Sequence, residues 1–277
     1  ITFAKATPSL SSFGNILKTF GDSSFSLTAP TVGSSLPGTF SYASSDLTVA
    51  TISASTVSIV KAGTATITAT FTPSDTTNYE TRNITATLTI DPKTITITAE
   101  TKSKYFGDTT PTNSFTNSTL VGSDAISSVT YTYSSTNSST APTAVGSYTI
   151  TPSAAVFSTG NSGNYDITYS PGTYTISKAT PTLSTINDIS KTYGNSTFSL
   201  TAPTASSYGN TVAGATTYAS SNDSVASVSG STVTVVGAGT ATFTATFSPT
   251  TTASYNSTST TFTITVATLG LVITAED

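Results

Sequence analysis

From Gly63 the chain reads Thr64, Ala65, Thr66, Ile67, Thr68, Ala69, Thr70, Phe71, Thr72, with threonine at every second position and an apolar residue between. A period of two puts the apolar side chains on one face of an extended backbone, so this stretch predicts a half-buried β-strand. Similar alternation marks Ile84–Ile90, Thr94–Ala99, Thr130–Tyr133, Tyr148–Thr151, Tyr165–Tyr169, Tyr174–Ile176 and Phe262–Val266. No stretch carries an apolar stripe at the 3.6-residue helical spacing. Short strands parted by Gly, Pro, Asn and Ser clusters predict all-β sandwiches with hairpin and Greek-key connections.

The alternation itself repeats. KATPSLSSFGNILKTFGDSSFSLTAPT from Lys5 returns as KATPTLSTINDISKTYGNSTFSLTAPT from Lys178, an offset of 173 residues. YASSDLTVATISASTVSIVKAGTATITATFTP from Tyr42 returns from Tyr218, an offset of 176. The three extra residues fall among Ser206 to Ala215, whose Ser, Gly and Asn predict a surface loop between strands. Within the second block Ile67 becomes Phe243, an apolar exchange on the same face.

The stretch between the copies differs from both but shares one signature with them. Lys18-Thr19-Phe20-Gly21-Asp22, Lys104-Tyr105-Phe106-Gly107-Asp108 and Lys191-Thr192-Tyr193-Gly194-Asn195 sit near the start of each segment. This predicts three tandem Ig-like sandwiches in the order A1 (5–92), B (93–177) and A2 (178–267). Residues 1–4 resemble the closing strand of a preceding B segment, and residues 268–277 the opening strand of a following one. Those ends, Ile1 to Ala4 and Leu271 to Asp277, are expected either to mark an excerpt from a longer array or to pair with further copies of the chain. The links Asp91-Pro92-Lys93 and Ser177-Lys178-Ala179 are too short for flexible tethering, so the expected form is an elongated rod on the order of 100 Å, at about 3.3 Å per strand residue.

Composition sharpens the picture. The 277 residues include 66 Thr and 47 Ser but no Cys, Met, Trp, His or Gln. Threonine suits such strands because its branched Cβ favours the pleated backbone while its hydroxyl tolerates water. Without His or Cys there is no Ser-His-Asp triad, no thiolate nucleophile and no ordinary zinc site, so no enzymatic activity, catalytic residue, metal ligand or cofactor is expected. A net charge of −4 without a basic stripe argues against nucleic acid as a partner. No apolar run is long enough to span a bilayer, so no membrane insertion is expected in this segment.

The Lys-aromatic-Gly-Asp/Asn signature, the Val145–Ile150 strand, Gly163-Asn164-Tyr165-Asp166-Ile167 and the Val236-Gly237-Ala238-Gly239-Thr240-Ala241-Thr242 block together resemble a known group. B is similar to MBG domains, and the A segments to bacterial Ig-like (Big) domains, of large bacterial surface and secreted proteins. The resemblance implies a non-catalytic stalk or fibre of an extracellular or cell-surface adhesin-like protein. Alternative readings are a subunit of a homopolymeric filament, sheath or surface layer, and a module that binds carbohydrate or another surface.

The glycine and acid or amide of the signature fit a turn better than a ligand site. Lys18, Lys104 and Lys191 are candidates for isopeptide cross-links, but that chemistry needs a nearby carboxylic acid, and Glu occurs only at 80, 100 and 276. Ice binding needs flat ranks of threonine, which a twisted sheet does not supply. Six Asn-x-Ser/Thr sequons are about what this composition gives by chance. Tyr105, Tyr131, Tyr133, Tyr165, Tyr169 and Tyr174 make B the aromatic segment, suited to core packing first and to surface glycans second. Asp75, Asp108, Asp124 and Asp166 are too scattered for a calcium site.

Overall fold

The computed structural model of the chain describes residues 4–134 and 137–270. Apart from Ala4, the terminal strands expected over Ile1 to Ala4 and Leu271 to Asp277 therefore lie outside the described residues. The chain is all-β. A1 contributes β1 (Ile16–Thr19), β2 (Phe25–Ser26), β3 (Gly38–Ser44), β4 (Ala50–Ser53), β5 (Thr56–Ile59), β6 (Gly63–Pro73) and β7 (Arg82–Asp91). B contributes β8 (Lys93–Ala99), β9 (Lys102–Tyr105), β10 (Phe115–Asn117), β11 (Ala125–Tyr133), β12 (Gly146–Thr159), β13 (Tyr165–Ser170) and β14 (Gly172–Ser177). A2 contributes β15 (Thr182–Leu183), β16 (Ile189–Thr192), β17 (Phe198–Ser199), β18 (Ala205–Ser207), β19 (Asn210–Thr211), β20 (Gly214–Ser220), β21 (Ala226–Ser229), β22 (Thr232–Val235), β23 (Gly239–Pro249) and β24 (Thr258–Ala267).

A1 forms a four-stranded sheet, β1-β7-β6-β3, and a three-stranded sheet, β2-β5-β4. A2 repeats both, as β16-β24-β23-β20 and β17-β22-β21. B forms β10-β8-β13 and β11-β12-β14-β9. Hairpin pairing joins β6 to β7 and β23 to β24. A further pairing lay beyond the reach of alternation, since a short early strand runs parallel to the last strand of each segment. β1 lies on β7 from Ile16↔Leu88 to Thr19↔Asp91, β9 on β14 from Lys102↔Tyr174 to Tyr105↔Ser177, and β16 on β24 from Ile189↔Ile264 to Thr192↔Ala267.

Among the described residues, the chain divides into two compact units that do not follow the repeat boundaries. The first runs to Glu100 and adds Ser114–Thr132 and Thr151–Gly172. The second holds Thr101–Asn113, Tyr133–Ile150 and residues from Thr173 onward. B thus contributes strands to both. In the first unit Val49, Ala50, Val57, Ile67, Leu88 and Ile90 of A1 share one core with Ile95 and Tyr165 of B. In the second, Val225, Ala226 and Val233 pack against Phe243, Phe262 and Ile264. The second core sits between the two A2 sheets, as in Ig-like sandwiches, whereas the first sits between the two A1 sheets and extends to the β10-β8-β13 sheet of B.

The threonine zigzag behaves as its period dictates. Ala65, Ile67, Ala69 and Phe71 of β6 are buried, as are Ala241, Phe243, Ala245 and Phe247 of β23, and the intervening threonines face outward or are only half-buried. Phe243 replaces Ile67 without loss of burial, both being 0% exposed.

Two local features differ from the sequence reading. Alternation pointed to a strand over Tyr148–Thr151, yet β12 is 14 residues long. Tyr148, Ile150 and Pro152 turn inward, and then Ser153, Ala155 and Phe157 do so, a slip of one residue beside Ala154 at φ 49°. This irregularity, like a β-bulge, reverses the pleat and hides the strand from a strict period of two. The three-residue insertion is also more than a surface loop. It builds the hairpin β18–β19, in which Ser206 pairs with Thr211 and Ser207 with Asn210. Tyr208 and Gly209, both at positive φ (47° and 79°), make the two-residue turn, the combination that matches the twist of the flanking strands.

The β4–β5 and β21–β22 hairpins have two-residue turns whose first residue is Ala54 at φ 54° in A1 and Gly230 at φ 57° in A2. A Cβ in this region costs roughly 1–2 kcal/mol, partly offset by the larger unfolded-state entropy of glycine. Ala54→Gly is therefore expected to stabilise the chain by about 0.5–1 kcal/mol, and Gly230→Ala to destabilise it by a similar amount. Urea unfolding of the two variants checks the opposite signs.

Candidate functional site

The parallel pairing at the end of each segment carries the Lys-aromatic-Gly-Asp/Asn signature with it. The ladder continues one step past the strands: Phe20 N donates to Asp91 O at 2.8 Å, Phe106 N to Ser177 O at 2.9 Å and Tyr193 N to Ala267 O at 2.9 Å. The chain then turns. Asp22 N donates to Thr19 O, Asp108 N to Tyr105 O and Asn195 N to Thr192 O, at 3.0, 3.1 and 3.0 Å. Gly21, Gly107 and Gly194, at φ 93°, 83° and 92°, occupy the third turn position, where a type II turn requires positive φ. In the A segments the fourth residue closes the turn: Asp22 Oδ2 accepts from Thr19 N and Asn195 Oδ1 from Thr192 N, both at 2.9 Å. In B, Asp108 Oδ1 instead accepts from Thr109 N at 2.7 Å.

The signature lysines brace the turn. Lys18 Nζ lies 4.8 Å from the centre of the Phe25 ring and Lys191 Nζ 4.5 Å from that of Phe198, both cation–π distances. Lys104 Nζ donates to Asp108 O at 2.9 Å and to Thr110 Oγ1 at 3.2 Å. These contacts give all three ammonium groups a part in packing.

The turn's aromatic residue meets the following segment. Within the first compact unit the Phe20 ring stands edge-on to Tyr165, with centroids 5.6 Å apart and planes at 87°. Phe157 stacks on the same Tyr165 ring at 5.3 Å. The Tyr165 hydroxyl donates to Asp124 Oδ2 at 2.6 Å and accepts from Val121 N at 3.0 Å. Burial, reinforced by the Asp124 carboxylate, pushes this phenol up to about 12. Asn164 is buried beside it, and its Oδ1 accepts from Ala62 N at 3.1 Å. A Cβ on Gly21 would stand 2.6 Å from Val121 Cγ2, so glycine is needed for close approach as well as for φ. Within the second compact unit Phe106 makes the matching contact with Tyr255, at 5.3 Å and 84°.

An open cleft lies beside that second contact. Tyr105, Tyr208, Thr180, Thr182 and Ser207 line a space of about 420 Å³, with Tyr105 53% and Tyr208 48% exposed. Partial desolvation raises the pKa of the Tyr208 phenol, with smaller contributions from Asp108 and Tyr105. Two tyrosine faces with nearby hydroxyls can stack on and hydrogen-bond to a polar ring. Of the other tyrosines singled out in B, Tyr133, Tyr165 and Tyr174 are buried, and Tyr131 and Tyr169 are half-buried. Tyr208 was not among the sequence candidates. Its signal was an aromatic residue followed by glycine inside an otherwise polar insertion.

The four aspartates stay apart in role. Asp75 Oδ1 accepts from Thr77 N and Asn78 N, at 3.0 and 3.1 Å, and hydrogen bonds led by that from the Asn78 side chain lower its pKa. Asp108 caps its turn, Asp124 holds Tyr165, and Asp166 pairs in register with Thr94. Among the described residues no three His, Cys, Asp or Glu gather as metal ligands would.

The fold and these junctions define a repeat-built, all-β protein with Ig-like sandwiches. Residues 95–175 match the family model of the MBG domain (YGX type), which agrees with the resemblance carried by the motifs of B. Similar solved structures include Drosophila N-cadherin EC1-4, 10% identical over 95% of this chain and 75% of that one, with a TM-score of 0.26. Protocadherin gammaB7 EC3-6 is 11% identical over 95% and 74%, with a TM-score of 0.33. Domains 4 and 5 of the S-layer protein SbsC are 20% identical over 58% and 86%, with a TM-score of 0.24. No curated protein sequence matches the chain. Among the described residues no helix is long and apolar enough to cross a membrane.

Tyr165→Phe removes both hydroxyl hydrogen bonds and is expected to cost about 1–3 kcal/mol at neutral pH. Because the folded-state pKa is raised from 10.0 to about 12, the hydroxyl's contribution is complete below pH 10 and is lost as pH climbs through about 12. The stability difference between wild type and Tyr165→Phe should accordingly shrink across that window, as urea midpoints at stepped alkaline pH would register.

Proposed function

We propose that the chain is a structural repeat segment, the stalk or fibre of a bacterial extracellular or cell-surface adhesin-like protein, and that its work is mechanical reach without an active site. The observation that carries this reading is the repeated junction. Phe20 on Tyr165 and Phe106 on Tyr255 place the turn of one segment against a tyrosine of the next, with Pro92 alone between β7 and β8. Aromatic contacts of this kind are each worth about 0.5–1.5 kcal/mol beyond the area they bury, which favours fixed over freely hinged segments. A hydroxyl-rich, weakly charged surface is also in keeping with a role outside the cell.

Small-angle scattering on the purified chain tests the mechanical reading. Three segments in line should give a monomer with a radius of gyration of roughly 30 Å, whereas a globule of this length would give roughly 19 Å. The compact value would overturn the stalk, and filaments seen by electron microscopy would favour the homopolymeric alternative.

The cleft supports a second reading, in which the chain also contacts surface glycans through Tyr105 and Tyr208. A glycan array probed with wild type and with Tyr105→Ala/Tyr208→Ala checks it. Binding that falls at least tenfold in the variant supports the cleft, and binding that is absent or unchanged removes it.

A further inference from the structure

The two A segments share a fold but differ at the Phe20/Tyr193 end. In A1, Phe20 is 8% exposed, Gly21 is closely covered by Val121, and Ala62 N is engaged by Asn164 Oδ1. The equivalent positions in A2 are Tyr193, Gly194 and Ala238, at the repeat offsets of 173, 173 and 176. There Tyr193 is 50% exposed, and among the described residues nothing lies within 4 Å of where a Gly194 Cβ would be. Tyr193, Ala238, Thr268 and Leu269 line an open, mainly apolar hollow of about 390 Å³, with Leu269 67% exposed.

The backbone of this site is already in its working form. Gly194 has the φ of Gly21 to within a degree, the Tyr193 N to Ala267 O ladder bond matches that of Phe20, and Asn195 closes the turn as Asp22 does. An aromatic side chain is kept at a position that in A1 packs against B. We propose that this face of A2 is a docking site for a second MBG-type segment, held as A1 holds B. The incoming segment would place its counterpart of Tyr165 edge-on to Tyr193, its counterpart of Val121 over Gly194, and its counterpart of Asn164 on Ala238 N. A second whole copy of the chain is a poorer occupant, because its own B face is already engaged by its own Phe20, Gly21 and Ala62.

The proposal rests on the tandem-segment reading, but its test is independent of overall dimensions and of any glycan. The chain is extended by repeating residues 92–177 directly after Ala267, the counterpart of Asp91, and tyrosine nitration by tetranitromethane is followed by peptide mass spectrometry, with Tyr208 as the internal reference. Tyr193 should react at a rate comparable to Tyr208 in the original chain and at least tenfold more slowly in the extended one. Changing the added segment's counterpart of Tyr165 to alanine should restore the reactivity, and changing its counterpart of Asn164 to alanine should restore it in part without removing an aromatic core residue. Equal Tyr193 reactivity in the original and extended chains would overturn the proposal, as would protection that survives both changes. Concentration-dependent protection of Tyr193 in the original chain would assign the site to a second copy and overturn it equally.

Discussion

The arrangement of this chain depends on the parallel pairing between a four-residue strand and the last strand of the same segment. Ile16–Thr19 on Leu88–Asp91, Lys102–Tyr105 on Tyr174–Ser177, and Ile189–Thr192 on Ile264–Ala267 bring the start of each segment alongside its finish. The ladder bond that follows, such as Phe20 N to Asp91 O, fixes the turn beside the residue where the segment ends. An aromatic side chain and a glycine therefore stand at the exit of each segment for reasons of backbone geometry. What they meet there is then decided by side-chain chemistry.

That division of labour suits a weakly charged composition. Between A1 and B the contacts within the first compact unit combine rings, one buried amide and close backbone approach, and within the second unit Phe106 meets Tyr255 ring to ring. Asn164 illustrates the economy. It is buried, so its amide needs partners, and its Oδ1 finds the otherwise free amide of Ala62. Tyr165 combines a ring for Phe20 and Phe157 with a hydroxyl that secures Asp124 and Val121. These residues lie in the Gly163-Asn164-Tyr165-Asp166-Ile167 motif, which forms the B half of the contact with A1.

Much of this was legible in the residues. Period-two alternation located the inward rows of β6, β7, β23 and β24, because a face that is wholly buried leaves little choice of register. The turn role of Gly21, Gly107 and Gly194 could be read from the residue types alone. Less visible were features in which distant residues set the geometry. The parallel pairing of β1 with β7 joins residues about seventy positions apart and leaves no local period. In β12 the slip beside Ala154 broke the alternation that defined strands elsewhere. Tyr208 escaped because a single aromatic residue in a polar insertion looks like loop, and only the β18–β19 register places it beside Tyr105. The two compact units could not be read from the repeat, since B contributes strands to both.

The shared backbone of A1 and A2 makes their sequence differences informative. The hairpin turn that holds Ala54 in one and Gly230 in the other, and the inward site that holds Ile67 in one and Phe243 in the other, show how much side-chain change a fixed backbone absorbs. At the segment exit the contrast is of another kind. Phe20 and Tyr193 have equivalent turns and ladder bonds, yet one ring is buried and the other half exposed. The added hydroxyl of Tyr193 lowers the cost of facing water while leaving a ring face for packing. The exits of A1 and A2 thus share one preformed turn bearing an aromatic ring, packed against Tyr165 at Phe20 and half exposed at Tyr193.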